Sequence, residues 1–199
     1  MELLLIRHAL PIRVEGEEGT AADPQLAELG RTQAQALADY LSGEKIDVLY
    51  VSPMRRALET AVPVSARLGL EMIVDEELAE FDRDSHFYIP IEELKEEKDE
   101  RWDDLIGGRW GSDGEVDPNT FKDVVVEATE RVIQAHPGQT VAIVCHGGVI
   151  NAYFAHLLKL DFPMFFEPAY TSISRVLASS AGHRQVKSIN EHAHVRELL

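Results

Sequence analysis

The run Glu2-Leu3-Leu4-Leu5-Ile6-Arg7-His8-Ala9 limits the possible folds of this chain more than any other stretch. Its apolar residues are continuous instead of alternating, and Pro11 follows shortly after, which is the pattern of a strand buried on both faces of a parallel sheet. Arg7 and His8 then stand at the C-terminal end of that strand. In open α/β sheets ligands bind at this edge, where strands deliver their last side chains and the following helices their N-termini. A cation and an imidazole there imply an anion site.

The rest of the chain repeats strand, loop and helix. Leu29, Gln33-Ala34, Leu37 and Leu41 recur at helical spacing and predict an amphipathic helix over 26–41. A second buried strand is expected at 46–51. It runs into Ser52-Pro53, where Ser suits an N-cap and Pro the first helical position of a helix over 54–68. A short strand is expected at 71–74, another buried strand at 141–145, and a helix from His146-Gly147-Gly148 to about 158. Residues 172–179 and 185–189 read as two strands around Ala181-Gly182, antiparallel at a sheet edge. The expected fold is therefore α/β, a three-layer sandwich with a mostly parallel sheet and helices on both faces.

Two stretches break this rhythm. Residues 11–25 are rich in Glu, Gly and Pro and read as a loop. Residues 82–118 hold an acidic run from Glu92 to Glu100 and a Gly-rich segment from Ile106 to Gly111. Their length and helical period predict a small helical cap with a mobile loop, inserted into a single domain spanning 1–199. A solvated surface helix without a role fits the charge pattern equally well.

Composition narrows the partners. With 19 Lys+Arg against 35 Asp+Glu the formal charge is -16, which argues against nucleic acid or an anionic membrane as the main partner. The lone cysteine, Cys145, excludes an internal disulfide and fits a reducing compartment. The N-terminal apolar run is too short for a signal peptide or a membrane span, so a cytoplasmic location is expected.

Three polar clusters fall at the same expected edge: Arg7-His8, Arg55-Arg56 and His146-Gly147. Taken singly, Arg55 and Arg56 could be solvated helix residues and His146 a strand-end histidine before a tight turn. Together they suit a phosphoryl group, because guanidinium forks and helix N-termini match phosphate oxygens and a neutral histidine can attack phosphorus. His86, His136, His156, His183, His192 and His194 lack metal-ligand spacing, and neither a metal nor a cofactor is expected.

These motifs resemble the histidine phosphatase superfamily, which includes phosphoglycerate mutases. The family's opening Arg-His-Gly is similar to Arg7-His8-Ala9, and its Ser-x-x-x-Arg-Ala-x-x-Thr-Ala to the stretch from Ser52 to Ala61, with the clamp arginine on Arg56. Leu78-Ala79-Glu80, His146-Gly147 and the stretch from Leu26 to Ala34 match three further motifs in family order. The resemblance implies His8 as nucleophile, Glu80 as proton donor to the leaving oxygen, and His146 as a further catalytic group on the phosphate. It also implies Arg7, Arg56 and Gly147 as substrate-binding residues. Asp82 and Asp84 are rival acids.

Ala9 stands where the family carries Gly, and the Ser and Trp-Asn that resembling mutases place after it are missing from Leu10 to Arg13. A phosphatase acting on a phosphorylated small molecule through a phosphohistidine is therefore the first expectation. A mutase-type phosphotransferase, or a phosphate-binding regulatory module with a disabled site, are the alternatives.

Overall fold

The structure is a computed structural model that describes residues 1–16, 19–110, 116–161 and 164–199. In chain order its elements are β1 (Glu2–Arg7), β2 (Val14–Glu15), α1 (Glu28–Leu41), β3 (Val48–Val51), α2 (Arg55–Leu68), β4 (Met72–Val74) and β5 (Phe87–Tyr88). They continue with α3 (Ile91–Glu97), α4 (Glu100–Ile106), α5 (Pro118–Ala135), β6 (Thr140–Cys145), α6 (Gly147–Leu158), β7 (Ile173–Ala178) and β8 (Arg184–Glu191). Six strands form one sheet in the order β4-β3-β6-β1-β7-β8. The first four are parallel, and β7 runs antiparallel to both β1 and β8.

The continuous apolar runs become the two central strands, and their alternate residues feed two cores. Leu3 and Leu5 of β1, with Val141, Ile143 and Cys145 of β6, pack against Val125, Val132, Val149 and Tyr153 of α5 and α6. Leu4, Ile6, Ala142 and Val144 face the other way, onto Leu37, Leu41, Ala57 and Val64 of α1 and α2. Both faces of each strand are thus covered, which is why neither run alternates in polarity.

Several boundaries shift for identifiable reasons. The helix expected from residue 26 starts at Glu28, because the Leu26 N–H is taken by Glu59 Oε2 at 2.8 Å and Leu26 bridges to Pro11. Ser52 does not cap α2: Met54 occupies the N-cap position, with no side-chain cap, and Pro53 precedes it. The two C-terminal strands are present, but only β8 lies at the edge. Helix α5, which the apolar spacing above does not single out, opens with Asp117 Oδ2 accepting from the Thr120 N–H at 2.8 Å and Pro118 in the first turn.

The stretch 82–118 holds two short helices, broken where Lys98 turns left-handed and Asp99 caps α4. It also contributes β5, which pairs with β2 from the stretch expected to be a plain loop. The Gly-rich segment is anchored at Trp110, whose indole is buried, donates to the Leu105 carbonyl at 2.9 Å and stacks on Phe81. Gly111, the last residue of the expected Gly-rich segment, lies outside the described residues.

One close approach ties α1 to the segment leaving β1. A Cβ built on Gly30 would sit 2.0 Å from the Leu10 carbonyl oxygen. Gly30→Ala must push that backbone away, and should lower the urea midpoint by the equivalent of about 1–3 kcal/mol. An unchanged midpoint would show that the segment after His8 can move without cost.

Candidate active site

The topology brings the three polar clusters together. Because β3, β6 and β1 are neighbours, Arg7 pairs in register with Cys145, and the His8 N–H donates to the Cys145 carbonyl at 2.9 Å. Ser52, one residue past β3, donates its N–H to the Val144 carbonyl at 3.0 Å. Strand ends, the start of α2 and the N-terminus of α6 therefore meet at one point. Arg7, His8, Arg56, Glu80, Gly147 and Gly148 line the same cavity there, of about 180 Å³. His146 lies beside them, with its ring centroid 5.1 Å from that of His8.

Arg7 and Arg56 are both buried, Arg56 completely. Arg7 Nη1 donates to the Pro168 carbonyl at 2.5 Å and to Glu92 Oε1 at 3.4 Å, and its guanidinium lies 3.9 Å from the Tyr170 ring centre. Arg56 Nη2 donates to Asp82 Oδ1 at 2.7 Å, with Tyr88 beneath its plane. Arg7 Nε, Arg56 Nε and Nη1, and His146 Nδ1 have no partner among the described residues. Buried donors are almost always paired, so this cluster has the character of an anion site.

Burial, followed by the charges of Arg56 and Arg7, holds the His8 pKa well below its usual value, so the ring is neutral. His8 Nδ1 lies 2.8 Å from the Ala9 carbonyl, which can only accept; the proton is therefore on Nδ1 and Nε2 carries the lone pair. His146 is likewise neutral, through burial and the nearby Arg56 charge. Its Nε2 is 2.6 Å from Ser52 Oγ, which also accepts the Met54 N–H at 3.3 Å. Cys145, next in the chain, is fully buried and its thiol is pushed up by that burial, so it offers no thiolate.

Glu80 is raised to about 7, first by burial and then by the Asp82 charge. It accepts from the Gly148 N–H at 2.7 Å and the Phe81 N–H at 3.2 Å. A Cβ on Gly148 would fall 2.2 Å from Glu80 Oε1, so glycine is required for the carboxyl to reach the helix. Of the rival acids, Asp82 is held on Arg56, and Asp84 is exposed and not part of the cavity.

The methyl group of Ala9 packs with Leu26 and Ala34, away from the cavity, while its N–H donates to Thr60 Oγ1 at 2.9 Å. The substitution for glycine therefore leaves the space beside His8 unchanged. Ser52, Tyr170 and Glu92 belong to this neighbourhood without being singled out by residue chemistry. Only Ser52 has a signal in the sequence, as the first residue of the motif that ends at Ala61. Among the described residues no group of three or more His, Cys, Asp or Glu side chains is gathered as a metal centre.

Comparison with known proteins gives the family and the fold. The family model for the histidine phosphatase superfamily (branch 1) matches residues 3–192. Phosphoserine phosphatase 1 of Hydrogenobacter thermophilus is 31% identical over 173 residues, covering 83% of this chain and 80% of that protein. Glucosyl-3-phosphoglycerate phosphatase of Mycobacterium tuberculosis is 30% identical over 181 residues, covering 79% and 75%. The crystal structure of an Entamoeba histolytica phosphoserine phosphatase with 3-phosphoglyceric acid superposes with a TM-score of 0.77 at 23% identity, covering 98% of each chain, and so has the same fold.

The Asp82 charge helps to keep Glu80 protonated, and Asp82→Asn should therefore lower the Glu80 pKa from about 7, as read by carbon-13 NMR of the carboxyl. An unmoved titration would leave burial as the sole cause of the shift.

Proposed function

The chain belongs to branch 1 of the histidine phosphatase superfamily, and from this premise we propose that it hydrolyses small phosphate monoesters through a phosphohistidine on His8. The observation that carries the proposal is the His8 tautomer. Its Nδ1–H is spent on the Ala9 carbonyl, which leaves the Nε2 lone pair for a cavity ringed by unpartnered donors.

Arg7, Arg56 and His146 bind the non-bridging oxygens, with Gly147 at the helix N-terminus closing the cradle. With the Ser52 hydroxyl donating to His146 Nε2, the imidazole proton sits on Nδ1, the atom without a protein partner. His8 Nε2 forms the N–P bond as the ester P–O bond breaks, and Glu80 gives its proton to the departing alkoxide. Water then loses a proton to the Glu80 carboxylate and attacks phosphorus as the His8 Nε2–P bond breaks. Inorganic phosphate leaves and His8 returns to neutrality. Every charge that this sequence needs comes from side chains, so no cofactor or metal enters.

The chain is taken as one domain over 1–199, in which residues 82–118 cap the cavity and meet the organic part of the ester. A phosphorylated small molecule is the expected substrate, in keeping with the phosphatases named above. A cytoplasmic setting fits the lone buried cysteine. Among the described residues no helix is long and apolar enough to cross a membrane.

An alkoxide needs its proton in the transition state, whereas nitrophenolate departs without help. Glu80→Gln should therefore slow phosphorylation by an alkyl phosphate roughly 10²–10⁴-fold and by nitrophenyl phosphate far less. Because Glu80 must be protonated to act, the wild-type alkyl rate should fall as pH rises through about 7. An equal loss on both substrates, or a selective loss in Asp82→Asn instead, would remove Glu80 from this role.

A further inference from the structure

Beyond the phosphate cradle the cavity turns apolar. Its far wall is made by Phe81, Phe87, Leu94, Leu105, Trp110 and Met164, with Leu94 and Leu105 supplied by the two cap helices. Three charged pairs reach this part of the cavity, and each is already matched within the protein. Arg101 donates to Asp99 through Nε at 2.8 Å and Nη2 at 2.5 Å and lies over Phe87. Arg109 is bound to Asp104, and Asp82 is held by Arg56 at 2.7 Å.

Glu80 and the phosphate-binding groups apart, each charged side chain that the described residues bring to this cavity already holds an opposite charge, so a substrate carboxylate or ammonium would have to compete with an internal pair. A charge brought against the apolar wall loses water there, and the pairs at the rim offer it only a shared partner. An apolar chain gains by leaving water for the same walls.

We infer that the ester's alcohol part is neutral and apolar, an alkyl or aryl alcohol, and not an amino acid or hydroxy acid of the kind that the relatives' names carry. The inference rests on the phosphatase reading and deepens it. The phosphate end confers binding and chemistry common to any monoester; the cap wall sets which ester enters. The whole cavity, phosphate end included, is about 180 Å³, so the alcohol is of modest size.

The test uses the intact protein with two sets of probes. Phosphate release is compared for n-hexyl phosphate, O-phosphoserine, 3-phosphoglycerate and nitrophenyl phosphate, and inhibition is measured for n-alkylphosphonates from methyl to hexyl. The expected kcat/KM for hexyl phosphate is at least tenfold above that for phosphoserine or phosphoglycerate. The inhibition constant should fall about fourfold per methylene until the chamber is full, the usual gain for burying one CH₂. Leu105→Ser should narrow the hexyl-to-methyl ratio several-fold, and if that variant does not fold, the wild-type series decides alone. A preference for phosphoserine or phosphoglycerate, a flat phosphonate series, or an unchanged ratio in the variant overturns the inference while nitrophenyl phosphate is still hydrolysed. Failure to release phosphate from any ester, nitrophenyl phosphate included, overturns the phosphatase reading and the inference with it.

Discussion

Two guanidinium groups buried at the C-terminal edge of the sheet, with several of their donors unpaired, are the constraint to which the rest of the structure answers. Burying a charge is costly unless its partners are at hand. Here each arginine has one carboxylate, Glu92 for Arg7 and Asp82 for Arg56, and an aromatic ring against its plane. Those contacts orient the forks but leave Arg7 Nε and two Arg56 nitrogens without a partner among the described residues. The order β3-β6-β1 makes this possible, because it places three successive strand ends side by side with the start of α6 between them. Burial first, and then the same positive field, keep His8 and His146 neutral.

The surroundings hold this arrangement by close approach and by strain. Gly148 lets the Glu80 carboxyl reach the first turn of α6 and accept its N–H. On the other side of β1, Thr171 adopts φ 58°, a left-handed conformation costly for a β-branched residue, about 1–3 kcal/mol. Its N–H reaches the carbonyls of Arg7 at 3.1 Å and His8 at 3.4 Å, and its own carbonyl accepts from His194 at 3.1 Å. The strained turn thereby fixes Tyr170 against Arg7. Glu92 completes the link by accepting from the Tyr170 hydroxyl at 2.9 Å, so the segment 82–110 touches the arginine end of the cavity as well as its apolar wall.

The central sheet was legible because β1 and β6 are buried on both faces, and a continuous apolar run has few other uses. That Arg7, His8, Arg56, His146 and Gly147 would meet at one edge was legible for a related reason, since strand ends and helix starts are marked in the chain. Ser52 was misread because serine before proline has a strong local meaning, while its actual partner, His146, lies 94 residues away. The short pairing of β2 with β5 and the burial of Trp110 depend on contacts between distant loops and have no period to detect. Tyr170 and Glu92 carry no motif, and their roles exist only once the C-terminal turn and the cap meet over Arg7. The start of α5 is different: Asp117-Pro118 is a helix-opening signal present in the chain, overshadowed by the charge of the preceding segment.

The central claim is that the neutral His8, protonated on Nδ1, takes the phosphoryl group on Nε2. Rapid-quench mixing with a ³²P-labelled monoester, followed by peptide mapping, tests it directly. The account requires label that is stable to base and lost in acid, on the peptide containing His8, formed and decaying at rates that support turnover. Turnover with no label on that peptide, or full turnover by His8→Ala, would contradict it.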